Sequence, residues 1–360
     1  MKVTFLAGTL GRGGAERQLV YMLRSLVDKG VNLRLLCLTK GEALEEEIRN
    51  LGIDIRPIDT RGGRIGTLRA VVRGLRREST DIVQSSHFYT NIYAAVSGRI
   101  TGVQSIGAIR SDLEHEFASN GFYSKYQLTM PKHLIANSER AVKRSIAFGI
   151  KKQKIDLVRN VVASENGVGR NSNGRSDDST TITFVGRLGK EKRPELFVKL
   201  ARGLINAVPE KRLRFQIVGD GPLRHELETL ALEYGLTADT LCFTGERSDM
   251  SAVYASTDIL VLTSKHEGTP NVILEALSNA IPVVATDVGG VSEILSEQVG
   301  FLVDPMDFDG LILAARRLVL SPQLRQKFGT NGLKFVLENH SLSYLGERLT
   351  EIYNNLVPSR

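Results

Sequence analysis

The amino-acid sequence predicts an α/β protein made of two doubly wound domains that face each other across a cleft. Short, nearly continuous apolar runs alternate with amphipathic segments along the chain, which is typical of parallel strands buried on both faces and the helices between them. The length of 360 residues suits two domains. The alternation breaks once, over residues 161–180, where Gly, Asn and Ser predominate and a linker is predicted.

The first predicted domain covers residues 1–160. Its strands are predicted at short apolar runs, namely 3–7, 33–38, 53–58, 81–86, 103–109 and 133–137. Apolar residues at helical spacing predict the helices, namely 15–28, 42–51, 66–78, 90–100 and 138–148. This alternation is the pattern of a doubly wound domain.

The second predicted domain covers residues 181–342. Its predicted strands are 181–186, 213–219, 240–245, 258–263, 282–286 and 300–303. Its predicted helices are 193–207, 222–234, 248–256, 270–279 and 307–319, and the tail 321–357 is also predicted to be helical. Ligands of open α/β sheets bind beyond the carboxyl ends of the strands, so a site is expected in the cleft if both sheets direct those ends towards it.

The composition is that of a soluble globular protein, with 42% hydrophobic and 24% charged residues. No apolar run approaches about 18 residues, so no membrane span is predicted. The short apolar run at the N-terminus leads into a glycine-rich segment and does not predict a signal peptide, so the expected location is the cytoplasm. Cys37 and Cys242 lie in separate apolar runs, which predicts two buried thiols and no disulfide.

The net charge of +7 is unevenly distributed. Residues 1–165 hold 26 basic and 16 acidic residues, a balance of +10, whereas the remainder holds 21 and 24, a balance of −3. An anionic partner is therefore expected for the first half.

The basic segment 61–79 predicts a helix with two distinct faces. Its apolar face consists of Ile65, Leu68, Val72 and Leu75, and its basic face of Arg69, Arg73, Arg76 and Arg77. Two interpretations stay open: a sheet-covering helix with solvated arginines, or a contact with a lipid diphosphate or an anionic membrane surface. No nucleic-acid partner is expected, because no aromatic residues interleave with the arginines.

A glycine-rich loop, GTLGRGGAER (8–17), follows the first predicted strand. Gly11, Gly13 and Gly14 would let the backbone approach a phosphate or a polar sugar at the start of the first helix, but the loop could also be only a tight turn. The sequence lacks G-x-G-x-x-G and an acidic residue at the end of the second strand, so a nicotinamide cofactor is not expected.

Two cations, Arg187 and Lys192, follow the first strand of the second domain in FVGRLGKEKRPE (184–195). Arginine can bind a phosphate through two parallel hydrogen bonds and lysine adds a point charge, so the pair could neutralise a leaving diphosphate. The alternative is two solvated surface cations.

The segment SKHEGTPNVILEAL (264–277) predicts a capped helix between two carboxylates. Thr269 is the predicted N-cap, with Pro270 at the first helical position. Glu267 in the loop and Glu275 on the helix could each accept hydrogen bonds from a diol. The alternative is a well-capped helix with two surface glutamates.

Together these segments resemble the retaining glycosyltransferases of the GT-B fold, the glycosyl transferases group 1 family. The segment EGTPNVILEAL carries the Glu-x7-Glu pair of that family. Further segments follow the family pattern in order, namely GGAER (13–17), NSERAV (137–142), FVGRLGKEKRPE (184–195), VGDGPLRHELE (218–228), FTGERSDMSAVYASTDILVLTS (243–264) and PVVATDVGGVSEIL (282–295). The resemblance covers essentially the whole chain and implies two Rossmann-like domains, with a last helix, about 343–360, that crosses back to the first.

The resemblance implies transfer of a hexosyl group, with retention, from a UDP- or GDP-sugar to a hydroxyl of a glycan or lipid-linked glycan in cell-surface polysaccharide biosynthesis. The nucleotide sugar would be a co-substrate, with no resident cofactor, and the enzyme could be peripheral at the inner face of the cell membrane. Arg187 and Lys192 would bind the diphosphate, Glu275 the ribose and Glu267 the sugar. Further donor contacts would come from Gly13, Gly14, Gly245, Met250, Gly268, Thr269, Pro270, Asn271 and Val272. The alternatives are an epimerase of the same fold and a non-catalytic module that binds nucleotide sugars.

The sequence departs from the family at one position. Many members carry a histidine after the fifth strand of the first domain, where this chain has Arg110. His87, after the fourth strand, is the nearest histidine, and both residues are candidates for the acceptor or sugar side of the site. Asp307-Phe308-Asp309 is interpreted as a helix cap, and no metal is predicted because no cluster has metal-ligand spacing.

Overall fold

A computed structural model describes residues 1–163 and 179–357 of the chain. It divides into two units, Met1–Ala163 together with His340–Arg360, and Ser164–Asn339. The predicted linker falls largely on residues 164–178, outside the described residues. The cleft between the two predicted domains stays a prediction.

The first unit is built on a seven-stranded sheet whose neighbouring strands all pair in parallel. Its strands are β1 (Lys2–Ala7), β2 (Asn32–Cys37), β3 (Asp54–Pro57), β4 (Ile82–Ser85), β5 (Gln104–Ile109), β6 (His133–Ala136) and β7 (Ile155–Leu157). They lie in the order β3-β2-β1-β4-β5-β6-β7. The order reverses between β1 and β4, which places the loops after these two strands side by side at the position where such sheets bind ligands.

Helices flank this sheet. They are α1 (Gly14–Asp28), α2 (Glu45–Asn50), α3 (Gly63–Arg77), α4 (Asn91–Thr101), α5 (Leu113–Asn120), α6 (Tyr123–Thr129) and α7 (Glu139–Ala147). The six predicted strands and five predicted helices are confirmed to within three residues. The short β7, α5 and α6 were not predicted, because none is long enough to show a clear period.

The second unit holds a six-stranded sheet whose neighbouring strands also all pair in parallel. Its strands are β8 (Ser179–Val185), β9 (Arg212–Val218), β10 (Leu241–Gly245), β11 (Ile259–Leu262), β12 (Val283–Thr286) and β13 (Gly300–Val303). The order is β10-β9-β8-β11-β12-β13, with the reversal between β8 and β11. Its helices are α8 (Pro194–Ala207), α9 (Arg224–Glu233), α10 (Met250–Ser256), α11 (Asn271–Ser278), α12 (Phe308–Leu320) and α13 (Pro322–Asn339). The α/β prediction is therefore confirmed in both units.

The predicted helical tail is two helices, α13 and α14 (Leu342–Leu356), because Ser341 starts a new helix by accepting a hydrogen bond from the Tyr344 N–H at 3.3 Å. The last helix, α14, packs in the first unit, where Leu345, Leu349 and Tyr353 join the core formed with α1. Tyr353 is fully buried, and its hydroxyl donates to Gln84 Oε1 on β4 at 2.6 Å. This bond fixes α14 against the central strands of the first sheet.

Two sequence predictions about burial are corrected. Cys37 is buried, but Cys242, on the edge strand β10 of the second sheet, is exposed. Helix α3 packs through Thr67, Val71 and Leu75, not through the whole predicted apolar face. Ile65 is 67% exposed, so part of that face lies on the surface.

Candidate functional site

Most of the predicted site residues lie in the loops at the point where the strand order of each sheet reverses. The loop after β1 carries Gly13 and Gly14, and the segment after β4 carries His87. In the second unit, the loop after β8 carries Arg187 and Lys192, and the loop after β11 carries Glu267. The strand order therefore places residues far apart in sequence beside one another.

Lys192 and Glu267 form a direct ion pair in the second unit, although 75 residues separate them. The Lys192 ammonium donates to Glu267 Oε1, and the Ser264 hydroxyl donates to the same oxygen at 2.6 Å. The glutamate is buried and the lysine half-buried. Lys192, Ser264 and Glu267 thus form a polar cluster at the reversal point. In it, the lysine binds the carboxylate of Glu267, which the family resemblance assigns to the sugar.

The backbone around Lys192 is fixed by residues that the sequence analysis did not identify. The Thr263 hydroxyl donates to the carbonyls of Lys192 and Arg193 at 2.8 and 2.9 Å. In return, the Arg193 guanidinium donates to the carbonyls of Thr263 and Pro305 at 2.9 and 2.8 Å. Arg193 adopts a left-handed conformation with φ of 47°, which no sequence signal indicates for an arginine. These bonds tie the two loops together.

Arg187 is exposed on a loop that is supported by glycines following the neighbouring strand, β9. The Leu188 N–H donates to the Asp220 carbonyl at 2.9 Å. A Cβ on Gly219 would lie 2.1 Å from the Gly186 carbonyl oxygen, and one on Gly221 would lie 2.6 Å from the Leu188 carbonyl oxygen. Only glycine fits these positions, so the segment VGDG (218–221) has a structural role in shaping the arginine loop.

A second glycine contact shapes the loop that holds Glu267. Gly289 has φ of +57°, and a Cβ there would lie 1.7 Å from the Glu267 carbonyl oxygen. The next residue, Gly290, donates its N–H to the Gly268 carbonyl at 2.7 Å. The glycines of TDVGG (286–290) therefore hold the segment Glu267–Gly268 in place.

Glu275 lies on α11, one turn beyond the helix start, and is half-buried. The Tyr254 hydroxyl, from α10, donates to Glu275 Oε2 at 2.5 Å. Tyr254 is 4% exposed and was not identified from sequence. Gly245 and Met250 lie at the end of β10 and the start of α10, and the Gly245 carbonyl accepts the Gly219 N–H at 2.8 Å. The structure thus brings Glu275 next to α10, the helix that begins at Met250.

The predicted N-cap of α11 is wrong by one residue. Pro270, not Thr269, occupies the N-cap position, and the helix begins at Asn271 without a side-chain cap from Pro270. A proline at this position brings no N–H that would need a partner. The segment Gly268–Val272 still leads directly from the Glu267 loop into the helix.

His87 has both ring nitrogens engaged within the first unit. Its Nδ1 accepts the Gly8 N–H at 3.1 Å, so the ring carries its proton on Nε2, which lies 3.2 Å from Glu16 Oε1. The Thr9 hydroxyl donates to the same oxygen at 2.5 Å. Burial raises the pKa of Glu16, but the hydrogen bonds from His87 and Thr9 outweigh it and leave that pKa below its usual value. His87 therefore orders the glycine loop through Gly8 and Glu16.

Arg110 follows β5, and one of its guanidinium nitrogens is buried without a hydrogen-bond partner in the described residues. The other, Nη2, lies 3.2 Å from Met22 Sδ. Burial lowers the pKa of Arg110 to about 10. The Arg110 carbonyl accepts the Asn137 side-chain N–H at 3.0 Å, which connects it to the segment NSERAV.

The Asp-x-Asp triplet caps a helix, as predicted. Asp307 occupies the N-cap position of α12 and accepts the Gly310 N–H at 2.8 Å. Over residues 1–163 and 179–357, no group of three or more His, Cys, Asp or Glu side chains could hold a metal ion. Within the same residues, no helix combines the length and apolarity needed to cross a bilayer.

Comparisons with known proteins match both units. The profile of "Glycosyl transferases group 1" matches residues 168–335, and that of "Glycosyltransferase Family 4" matches residues 12–166. The alpha-D-kanosaminyltransferase of Streptomyces kanamyceticus is 32% identical over 183 residues, which is 50% of this chain and 47% of that protein. The chain thus spans about half the length of this relative.

Two further proteins are similar to this one over nearly the whole chain. The alpha-1,4-N-acetyl-D-galactosaminyltransferase of Campylobacter jejuni is 24% identical over 96% of both chains, and its name specifies a glycan linked to PP-undecaprenol. The crystal structure of Anabaena HepE in complex with UDP-glucose superposes with a TM-score of 0.85 over 99% of this chain and 100% of that one. Its sequence is 19% identical, so this likeness shows the fold.

Proposed function

Because the chain belongs to the glycosyl transferases group 1 family, we propose that it transfers a hexosyl group from a UDP- or GDP-sugar to a hydroxyl of a glycan or lipid-linked glycan acceptor. The observation that carries this proposal is the Lys192–Glu267–Ser264 cluster at the reversal point of the second sheet. It places a cation and a buried carboxylate side by side, where a leaving diphosphate and a sugar ring would meet.

In the proposed reaction the bond between the anomeric carbon and the diphosphate oxygen breaks, and the acceptor oxygen bonds to that carbon on the same face. The acceptor proton passes to the departing diphosphate oxygen. Arg187 and Lys192 stabilise the negative charge that develops on the diphosphate. Glu267 accepts hydrogen bonds from the sugar, and its position is fixed by Ser264 and Lys192.

Glu275 is proposed to bind the ribose of the nucleotide. The Tyr254 hydroxyl holds one carboxylate oxygen, Oε2, and so limits the orientations of the side chain. Donor contacts are proposed also for the start of α11 and for Gly13, Gly14, Gly245 and Met250. The donor named in the HepE structure, UDP-glucose, supports a nucleotide sugar of this class.

The acceptor is proposed to belong to cell-surface polysaccharide biosynthesis, with the enzyme bound to the inner face of the cell membrane. The Campylobacter relative, whose name specifies a PP-undecaprenol-linked glycan, supports a lipid-linked acceptor. In the first unit, Arg69, Arg73, Arg76 and Arg77 of α3 are exposed and would attract anionic lipid.

A panel of UDP- and GDP-sugars tests the proposal most directly. The true donor, at 100 times its dissociation constant, should stabilise the protein by about 2.7 kcal/mol, which raises the melting temperature measurably. A radiolabelled sugar from that donor should then appear in an extracted glycan or glycolipid fraction. If no nucleotide sugar shifts the melting temperature and no label is transferred, the proposal is wrong.

A further inference from the structure

A groove on the surface of the first unit runs between α3 and α4 and reaches α6. Its first part has a volume of about 460 Å³, and its walls include Leu68, Tyr89, Tyr93 and Gln127. A second part, of about 670 Å³, shares Ile65 and Leu68 with the first and continues along α3. Both parts are in the size range of sites for small organic ligands.

Part of the groove wall consists of apolar side chains of α3 that do not pack into the core. Thr67, Val71 and Leu75 face the core, whereas Ile65 is 67% exposed and Leu68 is half-buried. Tyr123, across the groove on α6, is 47% exposed, with the Arg64 guanidinium 4.3 Å above its ring. Walls of apolar and aromatic side chains are typical of sites for small organic ligands.

Two polar features of the groove specify its ligand further. Gln127 is 6% exposed, and its buried Oε1 has no hydrogen-bond partner in the described residues, so the wall offers an unused acceptor. Among the described residues, the walls of both parts together contain five arginines and no acidic residue. The groove therefore suits an apolar chain that carries an anionic group and a hydroxyl donor.

The groove also begins beside the loop after β1. Tyr89 lines it, and a Cβ on Gly8 would lie 1.7 Å from the Tyr89 hydroxyl oxygen, so this ring packs directly on the loop that leads to Gly13 and Gly14. Helix α4 starts next to Tyr89, and Ile100 in its last turn lines the second part of the groove. A ligand with its polar end near the loop would have its chain directed along α3 and α4.

We propose that this groove binds a lipid phosphate, namely the apolar chain and the phosphate of a lipid-linked acceptor. The apolar chain of the lipid lies along Ile65 and Leu68. Its phosphate pairs with Arg64 and other arginines of the groove, and a hydroxyl of the attached sugar donates to Gln127 Oε1. This inference rests on the proposed function and adds to it the part of the acceptor that does not react.

Soluble alkyl phosphates test the groove without a donor. The protein has nine tyrosines and no tryptophan, so its tyrosine fluorescence can follow binding. Fluorescence and calorimetry are both measured below the critical micelle concentration of the alkyl phosphate. Decyl phosphate should bind at least tenfold more tightly than hexyl phosphate, because each buried methylene contributes up to about fourfold. Decanol and inorganic phosphate should both bind more weakly than decyl phosphate, since each supplies only one of the two interactions.

Ile65→Glu should weaken the binding of decyl phosphate at least tenfold. Because Ile65 is exposed, the variant should fold normally. Leu313→Glu, at a leucine of the second unit that is 58% exposed, is the matched control and should bind like the wild type. Equal affinity for hexyl and decyl phosphate, or unchanged binding by Ile65→Glu, would overturn the proposal. A failure of the proposed function would instead show as no donor binding while decyl phosphate still binds.

Discussion

At the scale of single residues, the diphosphate assignment rests on Arg187 and Lys192. Replacing either by Ala should lower turnover by about 100- to 1,000-fold, the usual effect of removing one group that stabilises developing charge. Lys190→Ala is the matched control, since Lys190 is an exposed cation of the same loop and should keep wild-type turnover. Melting curves must accompany the assay, because Lys192→Ala also leaves Glu267 without its ion-pair partner.

Wild-type turnover in both Arg187→Ala and Lys192→Ala would refute the diphosphate assignment. A loss of turnover that follows only a fall in melting temperature would assign Lys192 a purely structural role.

The two glutamates should separate into two roles. Glu275→Gln should weaken binding of free UDP or GDP about tenfold, because a hydrogen bond from the ribose to a charged group contributes roughly 1.5 kcal/mol. Glu267→Gln should leave that affinity near wild type and lower kcat, since its proposed partner is the sugar. Calorimetric titration of the nucleoside diphosphate and steady-state kinetics measure the two effects; unchanged affinity and rate in both variants would contradict the scheme.

A third residue-scale prediction concerns the glycine that supports Glu267. Gly289→Ala should cost more than the roughly 1–2 kcal/mol of placing a non-glycine residue at positive φ, because its Cβ also meets the Glu267 carbonyl at 1.7 Å. Gly235→Ala has a similar φ of +67° but nothing within 4 Å of the added Cβ, so it isolates the conformational cost. Chemical denaturation compares the variants, and equal losses of stability would show that the loop contact is unimportant.

At the scale of secondary-structure elements, α3 should respond to charge reversal. Replacing Arg69, Arg73 and Arg76 by Glu should abolish sedimentation with anionic vesicles, because the attraction is electrostatic. Wild-type binding should weaken between 0.1 M and 1 M salt, as the Debye length falls from about 10 Å to 3 Å. Nucleotide binding should stay unchanged in the variant; a wild type that ignores anionic vesicles at low salt would remove the membrane surface as a partner.

Helix α14 shows how an element depends on partners distant in sequence. Arg348 donates to Asp156 Oδ1 at the sheet edge, and the other Asp156 oxygen lies 2.9 Å from His133 Nε2. The hydrogen bond from His133, opposed by burial and assisted by the charge of Arg348, lowers the pKa of Asp156. At pH values above the usual pKa of an aspartate, this network therefore stabilises the folded first unit. The stabilisation is lost as the pH falls through the lowered pKa of Asp156.

At the scale of the whole molecule, the proposed chemistry uses protein cations in place of a metal. Activity should therefore survive EDTA, with Arg187 and Lys192 stabilising the diphosphate. The assay compares chelated enzyme with enzyme supplied with Mg²⁺ or Mn²⁺ at equal ionic strength. Activity that is abolished by EDTA and restored by either ion would show that this prediction is wrong.

The sequence by itself determined the local features of this protein. Its apolar periods located six strands in each sheet, and short-range chemistry identified Asp307 as a helix cap. The motifs around Arg187 and Glu267 led to the family, because residue types at fixed spacing are read directly from the chain. Such features depend on neighbours within a few residues, so one sequence contains all the information they need.

Only the tertiary structure decided which of these residues come into contact with one another. It joined Lys192 to Glu267, bound Tyr254 to Glu275, and engaged both nitrogens of His87 with the glycine loop. It also left Ile65 on the surface instead of in the core. These outcomes depend on the order in which parallel strands pair and on packing between elements far apart in sequence, and a local period carries no information about either.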